Sequence, residues 1–229
     1  MPKQLKRKRV ALLVSAWNQY GRGIIEGAWN YAQNNFWNLD MQPSGPDGGM
    51  QIPEGWRGDG IIATIHSRDL AETLRRFRVP VVNVSGARFV GSNFPRVASD
   101  ARAVVQLAVE HLWSKGRRNV AFCGDPQKEF LNFWAQAYEE AARTLGFAPL
   151  SYQRSPKVMA NSGLEAQRRD RVRWLQSLPK PVGIIGWDTI TCRSIANACE
   201  LAGLEIPDDV AILSLSTEDL LGQTIHPPI

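Results

Sequence analysis

Six short segments, each following directly on an apolar run, collect the residues of this chain that could do chemistry. They are SAWNQYGR at 15–22, HSR at 66–68, SGAR at 85–88, GDPQ at 124–127, WDT at 187–189 and STED at 216–219. Together they supply hydroxyl, amide, carboxylate and guanidinium groups with tryptophan between them, a set suited to non-covalent recognition of a polar ligand. Bond-making chemistry finds little support. No G-x-S-x-G elbow is present, and His66, His111 and His226 fall in a loop, a helix and the last few residues. Metal sites need clustered ligands, whereas Cys192 and Cys199 share one helix face with Ile195, the spacing of a core stripe. The carboxylates of EIPDD at 205–209 read as a polar turn before a strand.

One catalytic rival has a pattern to rest on. Gly21, Gly23 and Gly27 follow a strand and open a helix, and Asp40 ends the next strand, where a dinucleotide-binding oxidoreductase would place its ribose carboxylate. Ala16 and Tyr20 stand where that pattern wants glycine, and side chains there block the approach of a pyrophosphate to backbone N–H groups. No tyrosine is followed four residues later by lysine, so the short-chain dehydrogenase pair is also missing. No cofactor is expected.

The elements that must position these segments alternate. Of the 229 residues, 44% are hydrophobic and 21% charged, an ordinary balance for a folded domain. The formal charge of +5 comes from Lys3, Lys6, Arg7, Lys8 and Arg9; the other 22 basic residues balance the 22 acidic ones, so the basic character is a tail and not a nucleic-acid-binding face. No apolar run reaches the ~18 residues of a membrane span. No signal-peptide pattern precedes the first strand, and three cysteines without metal spacing suit a reducing compartment, so the expected location is cytoplasmic. Strands are predicted at 10–15, 37–41, 60–65, 79–85, 120–124, 149–153, 182–187 and 210–215, and helices at 23–35, 69–77, 101–115, 133–145, 165–178 and 190–202. This βα alternation predicts an α/β fold of two doubly wound parallel-sheet lobes: a basic tail at 1–8, an N-terminal lobe at 9–117 and a C-terminal lobe at 118–229. In such sheets ligands bind beyond the carboxyl ends of the strands, which is where the six segments fall.

DGIIA at 59–63, VPVVNVSG at 79–86, VASDARAVVQLAVEHLWSKGRRNVAFCGDP at 97–126 and GWDTITCRSIANACELAGLEIPDDVAILSLSTEDLL at 186–221 resemble, in order and spacing, the effector-binding core of the lactose/galactose-repressor family. That core is a relative of the periplasmic sugar-binding proteins, and the resemblance covers nearly the whole chain. YGRGIIEGAWNYAQ and WLQSLPKPVGIIG look closest to the xylose-operon activator type, in which the sensor core precedes an AraC-type DNA-binding module. HPPI at 226–229 looks like the family's turn into the strand that returns to the first lobe. On that reading the periplasmic-binding-protein-like type I fold is C-terminally truncated, and DNA is bound only through a module absent from this chain.

The resemblance implies a ligand-sensing domain of a bacterial transcription regulator, not an enzyme, that binds a sugar, a pentose such as xylose, in the inter-lobe cleft. A transporter's solute-binding protein and the oxidoreductase are the alternatives. A saccharide effector and a homodimer through the first lobe's outer helices are the implied partners, with no membrane. In the pocket it implies, Trp17 stacks on the sugar or packs the lobe, Asn18 supplies an amide and Arg22 reaches in from the helix start. Ser85 stands where relatives place an acid, and Arg88 replaces the arginine that follows it. In the second lobe Asp125 follows a strand, and Trp134 takes the place of a hydroxyl-binding arginine. Asp188 either accepts from sugar hydroxyls or caps its helix. Ser216 replaces the family's aspartate, and Glu218 or Asp219 compensates for it.

Overall fold

A strand in the middle of a parallel sheet is covered by helices on both faces, so it needs apolar side chains at every position and not at alternate ones. VALLV at 10–14 meets that demand, and its two parities go to two different cores. The computed structural model describes residues 7–41, 51–86, 93–124, 129–153, 163–216, 218 and 222–223. It divides into two compact units, Met1–Ser99 and Asp100–Ile229.

In the first unit, strands β1 (Lys8–Leu13), β2 (Trp37–Met41), β3 (Gly60–Ala63) and β4 (Val81–Asn83) form one parallel sheet in the order β2-β1-β3-β4. Helix α1 (Gln19–Asn34) covers one face, where Leu12 and Val14 meet Ile24, Ile25 and Ala28. Helix α2 (Arg68–Arg75) covers the other, where Ala11 and Leu13 join Ile61, Ala63, Ala71 and Leu74. Between β2 and β3 the residues from 51 to 59 form no helix; Trp56 is buried under the sheet instead and donates from Nε1 to Asp40 (2.9 Å). The β4 strand is shorter than the predicted 79–85, because Pro80 contributes only a carbonyl, to Ile61 N. Residues 95–97 extend this edge through a parallel bridge between Asn83 and Arg96.

In the second unit, β5 (Asn119–Cys123), β6 (Leu150–Ser151), β7 (Val182–Gly186) and β8 (Val210–Ser214) form the sheet β6-β5-β7-β8, again parallel throughout. Helices α3 (Ala101–Ser114) and α4 (Glu129–Leu145) pack on Val120, Phe122 and Ile185, while α5 (Leu164–Ser177) and α6 (Thr189–Ala202) pack on Ala121, Cys123 and Ile184. Here the structure departs from the expected lobe boundary at 117/118. The buried face of α3, Ala101, Val105, Ala108, Val109 and Leu112, belongs to the core of the second sheet, so the division precedes this helix.

Most helix starts carry the side-chain caps that free N–H groups require. Asn18 accepts from Gly21 N, Ser67 from Leu70 N, Asp100 from Arg102 and Ala103 N, and Asp188 from Thr191 N. Asn18 thereby starts α1 at Gln19, ahead of the predicted 23. At the other end of α6, Gly203 adopts φ 68°, a left-handed conformation that costs glycine nothing.

Candidate functional site

In each sheet the chain leaves two adjacent strands in opposite directions, β1 and β3 in the first and β5 and β7 in the second. Crevices beyond the carboxyl ends of such strand pairs are where α/β sheets bind ligands. At the first, the end of β1 carries Trp17, Asn18 and Arg22 together. Trp17 is 88% exposed, outside the cores of its own unit. Asn18 uses Oδ1 on the α1 cap (2.8 Å), and Arg22 Nη1 donates to Ala16 O (3.1 Å). At the end of β4, Ser85 is buried and its N–H donates to Asn83 Oδ1 (2.8 Å).

Three residues outside the sequence expectations hold this edge. Asn83, 2% exposed, accepts from both Ser85 N and Ile65 N (3.2 Å), tying the ends of β3 and β4. Tyr20 donates from Oη to Val84 O (2.8 Å), pinning the start of α1 to the end of β4; burial raises its pKa, and the nearby Arg96 charge partly offsets that. Arg96 Nη1 donates to Ser85 O and Gly86 O (3.3 and 3.1 Å). Arg96 thus brings a guanidinium to this edge; Arg88 lies outside the described residues. The legible signal was Asn83, a polar residue within an apolar strand.

At the second crevice, Asp188 is half-buried at the start of α6. Its Oδ1 accepts from Thr191 N (2.7 Å), so the cap is real, while Oδ2 takes no hydrogen bond from the described residues. Thr189 Oγ1 donates to Ser216 O (3.3 Å) and accepts from Glu218 N (2.8 Å), which draws Ser216 and Glu218 to the head of α6 beside Asp188. Ser214 Oγ also donates to Ser216 O (2.7 Å). Trp134 is only 7% exposed; its ring meets that of Trp187 at 4.8 Å between centroids and 60°. Trp187 was not among the candidates, although it stands directly between an apolar strand and Asp188. Asp125 and HPPI lie outside the described residues.

Gly21 and Asp40 of the dinucleotide pattern have other partners. A Cβ at Gly21 would fall on the carbonyl of Ser15, so helix and strand end already touch where a pyrophosphate would sit. Asp40 is paired with Arg9 and bonded to Trp56. The thiols are not poised nucleophiles: burial pushes Cys192 up to about 12 and Cys199 up to about 11.

A family model described as a periplasmic binding protein-like domain matches residues 109–229, and one described as the XylR N-terminal domain matches residues 9–102. The xylose operon regulatory protein of Escherichia coli (strain K12) is 30% identical over 94% of this chain, and that of Haemophilus influenzae is 28% identical over 93%. The chain spans 56% of the length of each. Among solved structures, a xylose-binding transcription activator superposes with a TM-score of 0.72 at 28% identity, covering 92% of this chain and 54% of that one. A regulator-like protein from Alkaliphilus metalliredigens complexed with D-xylulofuranose gives 0.62 at 18% identity over 97% and 82%, a likeness that bears on the fold alone. No helix among the described residues is long and apolar enough to cross a membrane. Two doubly wound parallel sheets, met by a family model over more than half of the residues, place this chain in the periplasmic binding protein-like domain family.

Proposed function

We propose that this chain is the effector-sensing domain of a bacterial transcription regulator, that it binds a pentose such as xylose, and that binding controls a DNA-binding module outside the chain. The observation that carries this reading is Asp188: a half-buried carboxylate at the switch point of the second sheet whose Oδ1 is fixed by the helix and whose Oδ2 takes no hydrogen bond from the described residues. A carboxylate oxygen is a strong acceptor for sugar hydroxyls, and charge assistance roughly doubles such a bond. Similarity to xylose operon regulators over 94% of the chain supports the choice of sugar. Trp17, Asn18, Arg22 and Ser85 at the first sheet, with Trp134, Ser216 and Glu218 at the second, complete the proposed contact set, to which Arg88 and Asp125 belong on the resemblance alone. The residues are assigned binding roles and no catalytic ones, and the domain works in the cytoplasm as a homodimer. The sugar acts by binding one conformation of the regulator more tightly than another, the only way a ligand shifts such an equilibrium.

The test is calorimetry of the chain against pentoses, hexoses and NAD(P), with Asp188→Asn as the control. Asparagine keeps the helix cap and removes the charge, so folding is retained. Saturable binding of a pentose, weakened at least about tenfold in Asp188→Asn, is expected. Binding of NAD(P) and no sugar would overturn the reading.

A further inference from the structure

We propose that the edge of the first sheet at which its strands begin is a docking surface for the phosphate backbone of duplex DNA, adding sequence-independent contacts to those of the regulator's DNA-binding module. The choice of DNA rests on the transcription-regulator reading. The surface itself is a row of cations at the end of the sheet opposite the one proposed for the sugar.

Counted along the sequence, the charge beyond the basic tail cancels. The fold undoes that cancellation at one edge. In a parallel sheet all strands start on one side, and a helix that follows a strand runs back and ends on that side. Lys8 and Arg9 open β1, Arg57 precedes β3, and Arg76 and Arg78 follow α2 ahead of β4. Because β1, β3 and β4 are successive neighbours in the sheet, these cations form one row. Contacts between the segments hold it together. Arg9 Nη1 donates to Arg57 O (3.3 Å) and Asp59 N to Arg9 O (2.7 Å). Trp56, next to Arg57, meets Phe77, between Arg76 and Arg78, edge to face at 5.9 Å between centroids. All five cations are exposed. Arg9 is paired with Asp40, and Asp59 accepts from Arg9 N (2.8 Å). Among the described residues no carboxylate pairs with Lys8, Arg57, Arg76 or Arg78.

Arg78 is held in a conformation that suits glycine. Its φ of 50° is a left-handed value that residues with a Cβ rarely adopt. In the second unit the left-handed residues after α3, α4 and α6 are Gly116, Gly146 and Gly203. In the first unit they are side-chain-bearing: Phe36 (φ 56°) after α1 and Arg78 after α2. An arginine there keeps a long cation at the end of the row against the preference of its own backbone, the kind of local strain that marks functional positions. Spacing and stiffness favour a duplex as the polyanion. Neighbouring strand starts lie about 4.8 Å apart, so the row from β1 to β4 spans about 10 Å. Each DNA strand carries a phosphate every ~3.4 Å of helix axis, so the row faces about three of them. Cations fixed on a sheet edge suit a stiff partner; a flexible acidic peptide would lose chain entropy on the same surface.

The experiment is fluorescence anisotropy of a labelled duplex of about 20 base pairs and arbitrary sequence, titrated with the whole chain between about 50 and 200 mM salt. The edge variant combines Arg57→Gln, Arg76→Gln and Arg78→Gly. A control variant removes the same charge from exposed residues of the second unit, Lys115→Gln, Arg168→Gln and Arg169→Gln, and a tail variant carries Lys3→Gln and Lys6→Gln. For the wild-type chain, four phosphate contacts imply binding that falls roughly 100-fold over this salt range. The edge variant is expected to flatten the log–log salt slope by about two to three, with the control variant unchanged. Arg78→Gly alone should bind the duplex more weakly and yet melt higher, which a merely structural role would not produce, while Arg78→Lys keeps the binding. Should the edge variant fail to fold, Arg76→Gln alone is read for a slope flatter by about one. Pentose affinity by calorimetry stays unchanged in the edge variant, so failure of the sensor reading and failure of the docking surface are told apart. No duplex binding by the wild-type chain at the lowest salt would overturn the proposal. So would an equal loss in the control variant, a loss confined to the tail variant, or tighter binding of polyglutamate than of the duplex.

Discussion

Asn83 shows how much one buried amide can organise. Its Oδ1 satisfies the N–H groups of Ile65 and Ser85, two donors at the ends of different strands that the sheet ladder does not reach. Asn83→Ala would leave both without a partner in a site closed to water, and each such orphan costs about 1–3 kcal/mol. We expect Asn83→Ala to lose about 2–4 kcal/mol in urea unfolding; a loss below about 0.5 kcal/mol would mean that water replaces the amide. At this scale the sequence was legible in part. Asp188, Trp17, Asn18 and Arg22 were marked as candidates because they follow directly on apolar strands, and the helix cap that was one of the two readings of Asp188 is present. Asn83, Thr189 and Arg96 escaped because their partners are backbone atoms brought near by the fold: 18 residues separate Asn83 from Ile65, and 29 separate Thr189 from Glu218.

Helix α1 carries three glycines that look alike in the sequence and are not alike in the structure. A Cβ on Gly21 would overlap the carbonyl of Ser15, a backbone atom that cannot step aside without moving the end of β1. Gly23 and Gly27 have nothing within 4 Å of theirs. Gly21→Ala should therefore destabilise the chain by about 1–3 kcal/mol through overpacking. Gly23→Ala and Gly27→Ala should each stabilise it by about 0.5–1 kcal/mol, since alanine gives up less chain entropy in a helix. Thermal melts of the three variants decide this, and a common sign for all three would refute the close approach at Ser15. The elements themselves were well foreshadowed, because a parallel strand buried on both faces writes an unbroken apolar run into the sequence. Strand β6 shrank because an edge strand is defined by its one neighbour's hydrogen bonds and not by its own composition, and β4 starts late because Pro80 has no N–H to give. Helix α1 began early because its first turn, GlnTyrGly, is ordered by Asn18 and not by apolar periodicity.

For the molecule as a whole, the placement of α3 separates two divisions of the chain. If the second unit starts at Asp100, a fragment of residues 100–229 keeps the apolar face of α3 on Val120, Phe122 and Ile185 and should unfold cooperatively. A fragment of residues 118–229 lacks that helix, exposes the core beneath it, and should bind a hydrophobic dye and melt without a sharp transition. Equal cooperativity in both fragments would move the boundary back to the expected position. The sequence by itself determined the alternation of strand and helix, the parallel character of both sheets and the family, because burial on two faces and local capping leave their marks within a few consecutive residues. Only the tertiary structure decided which sheet α3 covers, that Gly21 is a contact, that Asp188 caps its helix through Oδ1, and that Trp134 packs against Trp187. Periodicity records that a side chain is buried; which distant surface buries it is settled only when the elements pack.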